Sequence, residues 1–127
     1  MKVDVSVSAD LSQVGRQAQR AEALGYDGLK IAELEHDPFL PLTLAAEHTS
    51  GIELMTSVAV AFARNPMSMA HLGHDLNAFS QDRFILGLGT QVKPHVTRRF
   101  GMPLHRAPRQ MREFINAMHH IYDCWYQ

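Results

Sequence analysis

Apolar residues recur along this chain with two alternating periods, one of two residues and one of about 3.6. Residues 2–7 place a valine at every second position with polar residues between them, which predicts a strand. From Val14 onward apolar residues follow helical spacing as far as Gly25, a glycine placed where a helix ends. The same unit then repeats. Strands are predicted at 2–7, 28–32, 52–58 and 84–88, each followed by a helix: 14–24, 39–49, one from Pro66, and one after Pro108.

Local signals predict where two of these helices begin. Asp10 is a candidate N-cap because Gln13 follows at capping-box spacing. Asn65 followed by Pro66 is a favourable pair for the N-cap and the first helical position.

Strands that alternate with helices form parallel sheets, so the fold class is α/β. Four units fit either an open doubly wound sheet or half of a barrel, since a whole barrel takes about 250 residues. The polar side of the first strand, with Asp4 and Ser6, favours the barrel, because strands of an open sheet are usually apolar on both faces. Residues 1–127 are expected to form one domain.

Composition narrows the class of protein without naming it. The chain is 46% hydrophobic and 20% charged, as in ordinary globular proteins, and its net charge of −1 gives no reason to expect nucleic acid or membrane as a partner. A single cysteine fits a reducing compartment. No signal peptide is visible and the apolar run 58–63 is too short to span a bilayer, so we expect a cytoplasmic protein.

Ligands bind at the carboxyl ends of strands in such folds, which singles out residues 7–9, 33–37, 57–65 and 89–95. Glu33 and His36 stand directly after the second strand, and a histidine with carboxylate neighbours can exchange protons near neutral pH. A solvated acidic loop explains the same residues. Residues 57–62 suit the backing of an aromatic ring system, although core packing explains them equally well. The glycines of 87–91 suit a flat ring or a phosphate, or else a tight turn.

Two further clusters carry weaker signals. His71, His74 and Asp75 share a helical face, but they lie inside a helix and lack a defined further ligand, so no metal site is expected. Arg106, Arg109 and Arg112 recur every three residues near two more arginines, which suits phosphates or a polyanionic tail, or else a solvated face.

The chain resembles the luciferase-like monooxygenases, particularly the branch that uses the deazaflavin coenzyme F420. The resemblance covers nearly the whole chain in family order. Its pieces are Ala21-Glu22-Ala23-Leu24-Gly25-Tyr26-Asp27-Gly28, Ala32-Glu33, His36-Asp37-Pro38-Phe39, Ala45-Ala46-Glu47-His48-Thr49, Arg64-Asn65-Pro66, Arg83-Phe84-Ile85-Leu86-Gly87-Leu88-Gly89 and Arg109-Gln110-Met111-Arg112-Glu113-Phe114.

The resemblance implies the N-terminal half, about four βα units, of a (β/α)₈ TIM barrel that binds F420, or alternatively FMN, and a small-molecule substrate. It implies hydride transfer or monooxygenation. Glu33 and His36 would be catalytic, with His36 beside the ring. A backbone bulge would back the ring, and a glycine-rich stretch would touch its edge. These two segments are Ser57, Val58 and Ala59, and Gly89, Thr90 and Gln91.

Three departures from the family pattern leave alternatives open. Leu34 stands where many relatives place a histidine. The turn that is often Gly-Gly reads Gln81-Asp82, so it is either strained or built differently. The resemblance also ends after the fourth helix. The alternative function is therefore a non-catalytic truncated half-barrel that self-associates, and the expected partner is a second copy or a complementary C-terminal half.

Overall fold

A computed structural model describes residues 1–127, and its elements follow the predicted βα order. The strands are β1 (Asp4–Ser6), β2 (Gly28–Ile31), β3 (Glu53–Thr56), β4 (Ala59–Val60), β5 (Phe84–Ile85) and β6 (Leu88–Gly89). The α-helices are α1 (Val14–Ala23), α2 (Phe39–His48), α3 (Pro66–Phe79) and α4 (Ala107–Trp125). No helix combines the length and the apolar character needed to cross a bilayer.

A four-stranded parallel sheet in the order β1-β2-β3-β5 confirms the α/β prediction. Its register aligns one apolar row across all four strands: Val5, Leu29, Leu54 and Phe84. Leu29 and Leu54 are fully buried, and the Phe84 ring meets the Phe39 ring of α2 edge to face, with the centroids 6.3 Å apart. This row is therefore the side of the sheet that the helices cover.

The chain forms two compact units. The first comprises residues 1–59 and 73–88 and holds the four-stranded sheet; the second comprises 60–72 and 89–127. Within the second unit, Phe62 packs edge to face on Phe114, and the Tyr122 hydroxyl donates to the Ala70 carbonyl. His71 stacks on Trp125, with the ring centroids 5.3 Å apart. Aromatic packing against α4 thus organises this unit.

The Arg83 guanidinium, just before β5, joins several backbone segments at the amino-terminal ends of the strands. Its Nε donates to the Ser80 carbonyl at 2.7 Å. Its two terminal nitrogens donate to the Ala46 and Ile52 carbonyls and to both the hydroxyl and the carbonyl of Thr49, at 2.8–3.2 Å. One side chain therefore fixes the end of α2, the entry to β3 and the turn before β5.

The Glu22 carboxylate at the end of α1 holds the same loop from the other side. It accepts the N–H groups of Ser50, Gly51 and Ile52, the shortest at 2.7 Å. Burial raises the pKa of this carboxyl, but those hydrogen bonds and the Arg83 charge outweigh burial, so the pKa lies below its ordinary value. The two side chains together form what we term the Glu22–Arg83 clamp.

The N-cap of α1 differs from the prediction, whereas the N-cap of α3 confirms it. Asp10 is not the N-cap, because its carboxylate accepts the N–H and hydroxyl of Ser12, and its carbonyl accepts the N–H of Val14, where the helix begins. A closed turn thus takes the place of a capping box. Asn65 caps α3 as predicted, since its Oδ1 accepts the Ser68 N–H at 2.8 Å.

The turn before β5 keeps the left-handed backbone that a Gly-Gly pair would adopt. The φ angles are 57° at Gln81 and 64° at Asp82. Asp82 is held by the Asn77 side chain, whose amide donates to the carboxylate at 2.9 Å. Of the two alternatives, the structure has the strained turn, since Gln81 has no such local compensation.

Several elements were not predicted from the sequence, among them β4 and the short 3₁₀-helix Ala61–Ala63 that follows it. The fourth predicted strand, 84–88, is divided into β5 and the start of β6, and β6 forms a separate two-stranded sheet with β4. The loop after it contains a short π-helix, His95–Arg99.

The first prediction concerns the clamp. Glu22→Gln should lower the free energy of unfolding at pH 7 by about 2 kcal/mol, because an ionised acceptor of several N–H groups becomes neutral. Since the folded pKa is depressed, this contribution is complete above the ordinary carboxyl pKa and is lost as the pH falls through the folded value. The difference between wild type and variant should therefore shrink between about pH 5 and pH 3 in urea unfolding.

The matched control is Glu47→Gln, an exposed carboxylate on α2, which should change the free energy of unfolding by less than about 0.5 kcal/mol. A wild-type-to-variant difference at Glu22 that persists undiminished at pH 3 would contradict this account of the clamp.

Candidate functional site

The carboxyl ends of β1, β2 and β3 lie at one edge of the sheet, because all three strands are parallel and adjacent. The amino-terminal ends of these strands lie on the opposite side of the sheet, where the Glu22–Arg83 clamp holds the chain at the entry to β3. The three segments that follow the strands, residues 7–13, 32–38 and 57–58, are thus the part of the first unit available for chemistry.

Between β3 and β4 the backbone steps out of the strand at Ser57 and Val58, and each end of this step is hydrogen-bonded to its neighbours. The Ser57 N–H donates to the Ile31 carbonyl at 2.9 Å, and the Val58 carbonyl accepts the Glu33 N–H at 3.1 Å. The peptide bond between Ser57 and Val58 is cis. Both side chains are exposed, so the step presents a small, mainly apolar surface on a fixed backbone.

The other flank of the step rests on Thr56 and Gly87. The buried Thr56 hydroxyl donates to the Gly87 carbonyl at 2.8 Å and accepts the Gly87 N–H at 2.9 Å. The Gly87 carbonyl also accepts the Ala59 N–H at 2.8 Å. A Cβ atom at Gly87 would lie 2.2 Å from the Thr56 carbonyl oxygen, so only glycine fits this approach. The sequence prediction identified the glycine but missed Thr56, whose signal was a polar residue at a buried strand position.

A cleft of about 610 Å³ opens between the loop after β1 and the start of α2. Its walls are mainly apolar, and its polar groups come from Ser8, Asp10, His36 and Asp37. Hydrogen bonds from the Ser12 side chain and backbone hold the pKa of Asp10 below its usual range, and His36 adds a smaller electrostatic contribution. An exposed imidazole beside an ionised carboxylate can accept and release protons.

The two residues predicted to be catalytic differ in their exposure. Glu33 is only 6% exposed, and its N–H is bonded to the Val58 carbonyl, whereas His36 is exposed on the cleft. Asp37 has a structural role besides lining the cleft, because its carboxylate accepts the N–H groups of Phe39 and Leu40 at the start of α2, both at 2.8 Å. The catalytic roles of Glu33 and His36 stay predictions.

Of the three residues predicted to back the ring, Ser57 and Val58 are exposed and Ala59 is fully buried. Gly89, Thr90 and Gln91 are half-buried and belong to the second unit, where Gln91 has a left-handed φ of 57°. Their contact with a ring edge stays a prediction.

Comparison with known proteins gives one family for nearly the whole chain. The sequence profile of the luciferase-like monooxygenases matches residues 2–123. An uncharacterized protein of Mycobacterium tuberculosis is 51% identical over 125 residues, which is 98% of this chain and 37% of that protein. The chain thus spans little more than a third of the length of the curated relatives it matches.

Solved structures agree on the fold. The oxygenating constituent of 3,6-diketocamphane monooxygenase from Pseudomonas putida, in complex with FMN, superposes with a TM-score of 0.84 at 20% identity, over 96% of this chain and 39% of that one. The coenzyme F420-dependent tetrahydromethanopterin reductase of Methanopyrus kandleri gives 0.70 at 23% identity, over 81% and 30%. The fold is therefore that of the N-terminal portion of such TIM-barrel enzymes, as predicted.

A prediction follows for the Thr56–Gly87 contact. Thr56→Val keeps the shape of the side chain but removes the acceptor of the Gly87 N–H, so hydrogen exchange at that amide should accelerate by about tenfold or more. Thr56→Ser keeps the hydroxyl and should preserve most of the protection. Unchanged exchange at Gly87 in the valine variant would show that the hydroxyl does not hold this backbone.

Proposed function

The chain belongs to the luciferase-like monooxygenase family, and we propose that it supplies the ring-holding part of an oxidoreductase that performs hydride transfer or monooxygenation with a deazaflavin or flavin. The Ser57–Val58 step carries this proposal. It is an exposed, nearly apolar surface at a strand end, and its backbone is bonded on both flanks. A planar ring needs such a rigid backing, which does not have to rearrange on binding.

The residues of the step fit a flat ring in two respects. Neither Ser57 nor Val58 carries a charge or a long side chain that a ring would have to displace. The buried Thr56 hydroxyl and the close approach at Gly87 keep the backbone behind them from yielding. Ser57, Val58 and Ala59 would thus hold the ring. For Gly89, Thr90 and Gln91, contact with the ring edge is proposed from the family resemblance alone.

The bound ring would supply the hydride or the oxygen chemistry, and the chain would supply proton transfer and positioning. His36 is the proposed proton-exchanging group, because it is exposed on a cleft beside ionised Asp10. Glu33, buried and tied by its backbone to the Val58 carbonyl, would act by linking the loop that carries His36 to the step. A His36→Gln variant of the complete enzyme with an unaltered pH–rate profile would exclude the proton-exchange role.

Coenzyme F420 is our first choice of cofactor, since the sequence resembles that branch, and FMN is the alternative. Relatives of both kinds share this fold: one solved structure contains FMN and another is F420-dependent. The two ring systems differ in their absorption and fluorescence, so parallel titrations identify which one the protein prefers.

Titration of the protein with F420 or FMN should therefore give saturable quenching of the ring fluorescence for one of the two cofactors. Val58→Asp should weaken this binding by at least about tenfold, because a carboxylate would have to be desolvated against the ring. Leu24→Asp is the matched control: Leu24 is 66% exposed at the end of α1, at the clamp edge of the sheet, and its substitution should leave the affinity unchanged.

The absence of saturable binding to either ring by folded protein would overturn the cofactor proposal. Equal losses in the two aspartate variants would show that the Ser57–Val58 step is not the binding surface.

We also propose that the sheet face opposite the helices is covered by a partner, and that the 127-residue chain self-associates through it. This face carries the residues that alternate along the strands with the apolar row of Val5, Leu29, Leu54 and Phe84. They include Ser6, Lys30, Met55 and Ile85, and none of these four is buried. β1 and β5 are the outer strands of the sheet, so each has an unpaired edge. In a longer protein, further βα units would take the partner's place.

Light scattering after size exclusion should give a mass near twice 14.3 kDa, and Ile85→Lys should shift the protein toward monomer because Ile85 is 44% exposed on this face. Leu34→Lys, at a 66% exposed leucine in the loop after β2, should leave the mass unchanged. A well-behaved monomer at high concentration would contradict self-association.

A further inference from the structure

The sheet face opposite the helices, which we term the open face, carries charged residues where the interior of a barrel usually carries branched apolar ones. Asp4 of β1 and Lys30 of β2 both lie on it, because they alternate along their strands with Val5 and Leu29 of the apolar row. Asp4 is exposed and Lys30 is half-buried. Whatever covers this face has to accommodate one group of each sign.

The Asp4 carboxylate extends from β1 across the neighbouring strand and lies over Gly28 of β2. A Cβ atom at Gly28 would lie 2.5 Å from Asp4 Oδ1 and 2.7 Å from the terminal methyl group of Met55, so the missing side chain makes room for both groups. Lys30 follows Gly28 by two residues on the same strand, a rise of about 7 Å. The negative and the positive group of the open face are thus both placed over β2, one after the other.

Neither of these two charged side chains has an ion-pair or hydrogen-bond partner within the chain. Lys2 lies within electrostatic range of Asp4, but its ammonium group is paired with Glu53. A covering layer without charges would bury the Lys30 ammonium and the Asp4 carboxylate unpaired, which costs far more than leaving both in water. The surface that covers the open face must therefore bring a carboxylate to Lys30 and a cation to Asp4.

We propose that a second copy of this chain covers the open face, with Lys30 paired to the partner's Asp4 and Asp4 paired to the partner's Lys30. This inference rests on the self-association proposed above and names the contact that makes it selective. In a two-fold dimer every contact occurs twice with the roles exchanged, so one carboxylate and one ammonium group on each face are sufficient.

The positions of the two groups suit such a dimer. A two-fold axis that crosses β2 at right angles between Gly28 and Lys30 exchanges these two positions between the facing sheets. Each Lys30 then stands opposite the partner's Gly28, the position over which the Asp4 carboxylate lies. Both charges of each face are thus neutralised without a third group, and an apolar partner or one of a single charge sign would leave at least one of them unpaired.

The test measures the dimer dissociation constant by sedimentation for the 127-residue chain and for two charge reversals. Lys30→Glu leaves two negative groups at these positions and Asp4→Lys leaves two positive ones, so each variant repels its own copies. Each should dimerise about tenfold or more weakly than the wild type.

An equimolar mixture of the two variants should form a mixed dimer whose affinity is within about threefold of the wild type, because each contact between the copies again joins opposite charges. An ion pair formed within one chain cannot produce this recovery, since each variant carries a single sign at the two positions.

The matched controls are Arg16→Glu on α1 and Glu47→Lys on α2, which make the same two changes in net charge at exposed residues of the helices. Each should leave the dissociation constant within about twofold of the wild type, since exposed charges away from the interface are screened by salt. Circular dichroism of each variant establishes that it is folded before the constants are compared.

Two kinds of failure are distinguishable. A wild-type chain that stays monomeric at high concentration would contradict the self-association itself, and this contact with it, and would leave the open face to further βα units of a longer protein. A wild-type dimer that the two reversals leave intact, that the controls weaken equally, or that the mixture does not restore would overturn the paired charges while the self-association stands.

Discussion

The guanidinium of Arg83 is the constraint on which the rest of the first unit depends. It binds the carbonyls that the end of α2 leaves without helical partners, and it fixes the entry to β3 and the turn before β5. Glu22 meets the same loop from α1 and binds its N–H groups. Donors and acceptors of one loop are thus satisfied by two oppositely charged side chains, and the strands that start there are set in register.

Because the clamp holds the amino-terminal ends of the strands, the carboxyl ends of the sheet can hold an exposed candidate site. With the amino-terminal ends of the strands fastened, the carboxyl ends can carry an irregular backbone and uncovered apolar side chains. The Ser57–Val58 step is such a feature, and its own support is local: the neighbouring strand ends and the Thr56–Gly87 contact. Under the proposed function, fold stability and ring binding would rest on different residues of the same strands, as is general for barrels of this kind.

The sequence predicted the order, type and approximate ends of the main elements because periodicity reports directly on which face is buried. It assigned the wrong N-cap to α1, since a carboxylate near the start of a helix can equally close a turn with Ser12. The division at β5 and β6 and the π-helix after them are set by backbone contacts that leave no periodic trace. Glu22 and Arg83 fall within the motifs that carried the family resemblance. In the structure both residues stabilise the loop before β3 and neither belongs to the candidate site.

The candidate site was only partly predictable for the same reason. His36, Ser57 and Gly87 could be chosen because they lie at or just after the ends of predicted strands. The Thr56 hydroxyl bond and the difference in burial between Glu33 and His36 depend on the folded backbone.

The most direct test of the whole account is a map of ring binding on the backbone amides. Addition of the preferred ring cofactor should shift the ¹H–¹⁵N signals of Glu33 and of residues 57–59, while the clamp loop, Ser50–Ile52, should stay unchanged. Shifts concentrated at Ser50–Ile52, with none at Glu33 or residues 57–59, would contradict this account. In it, the amino-terminal ends of the strands support the fold and the carboxyl ends bind the ring.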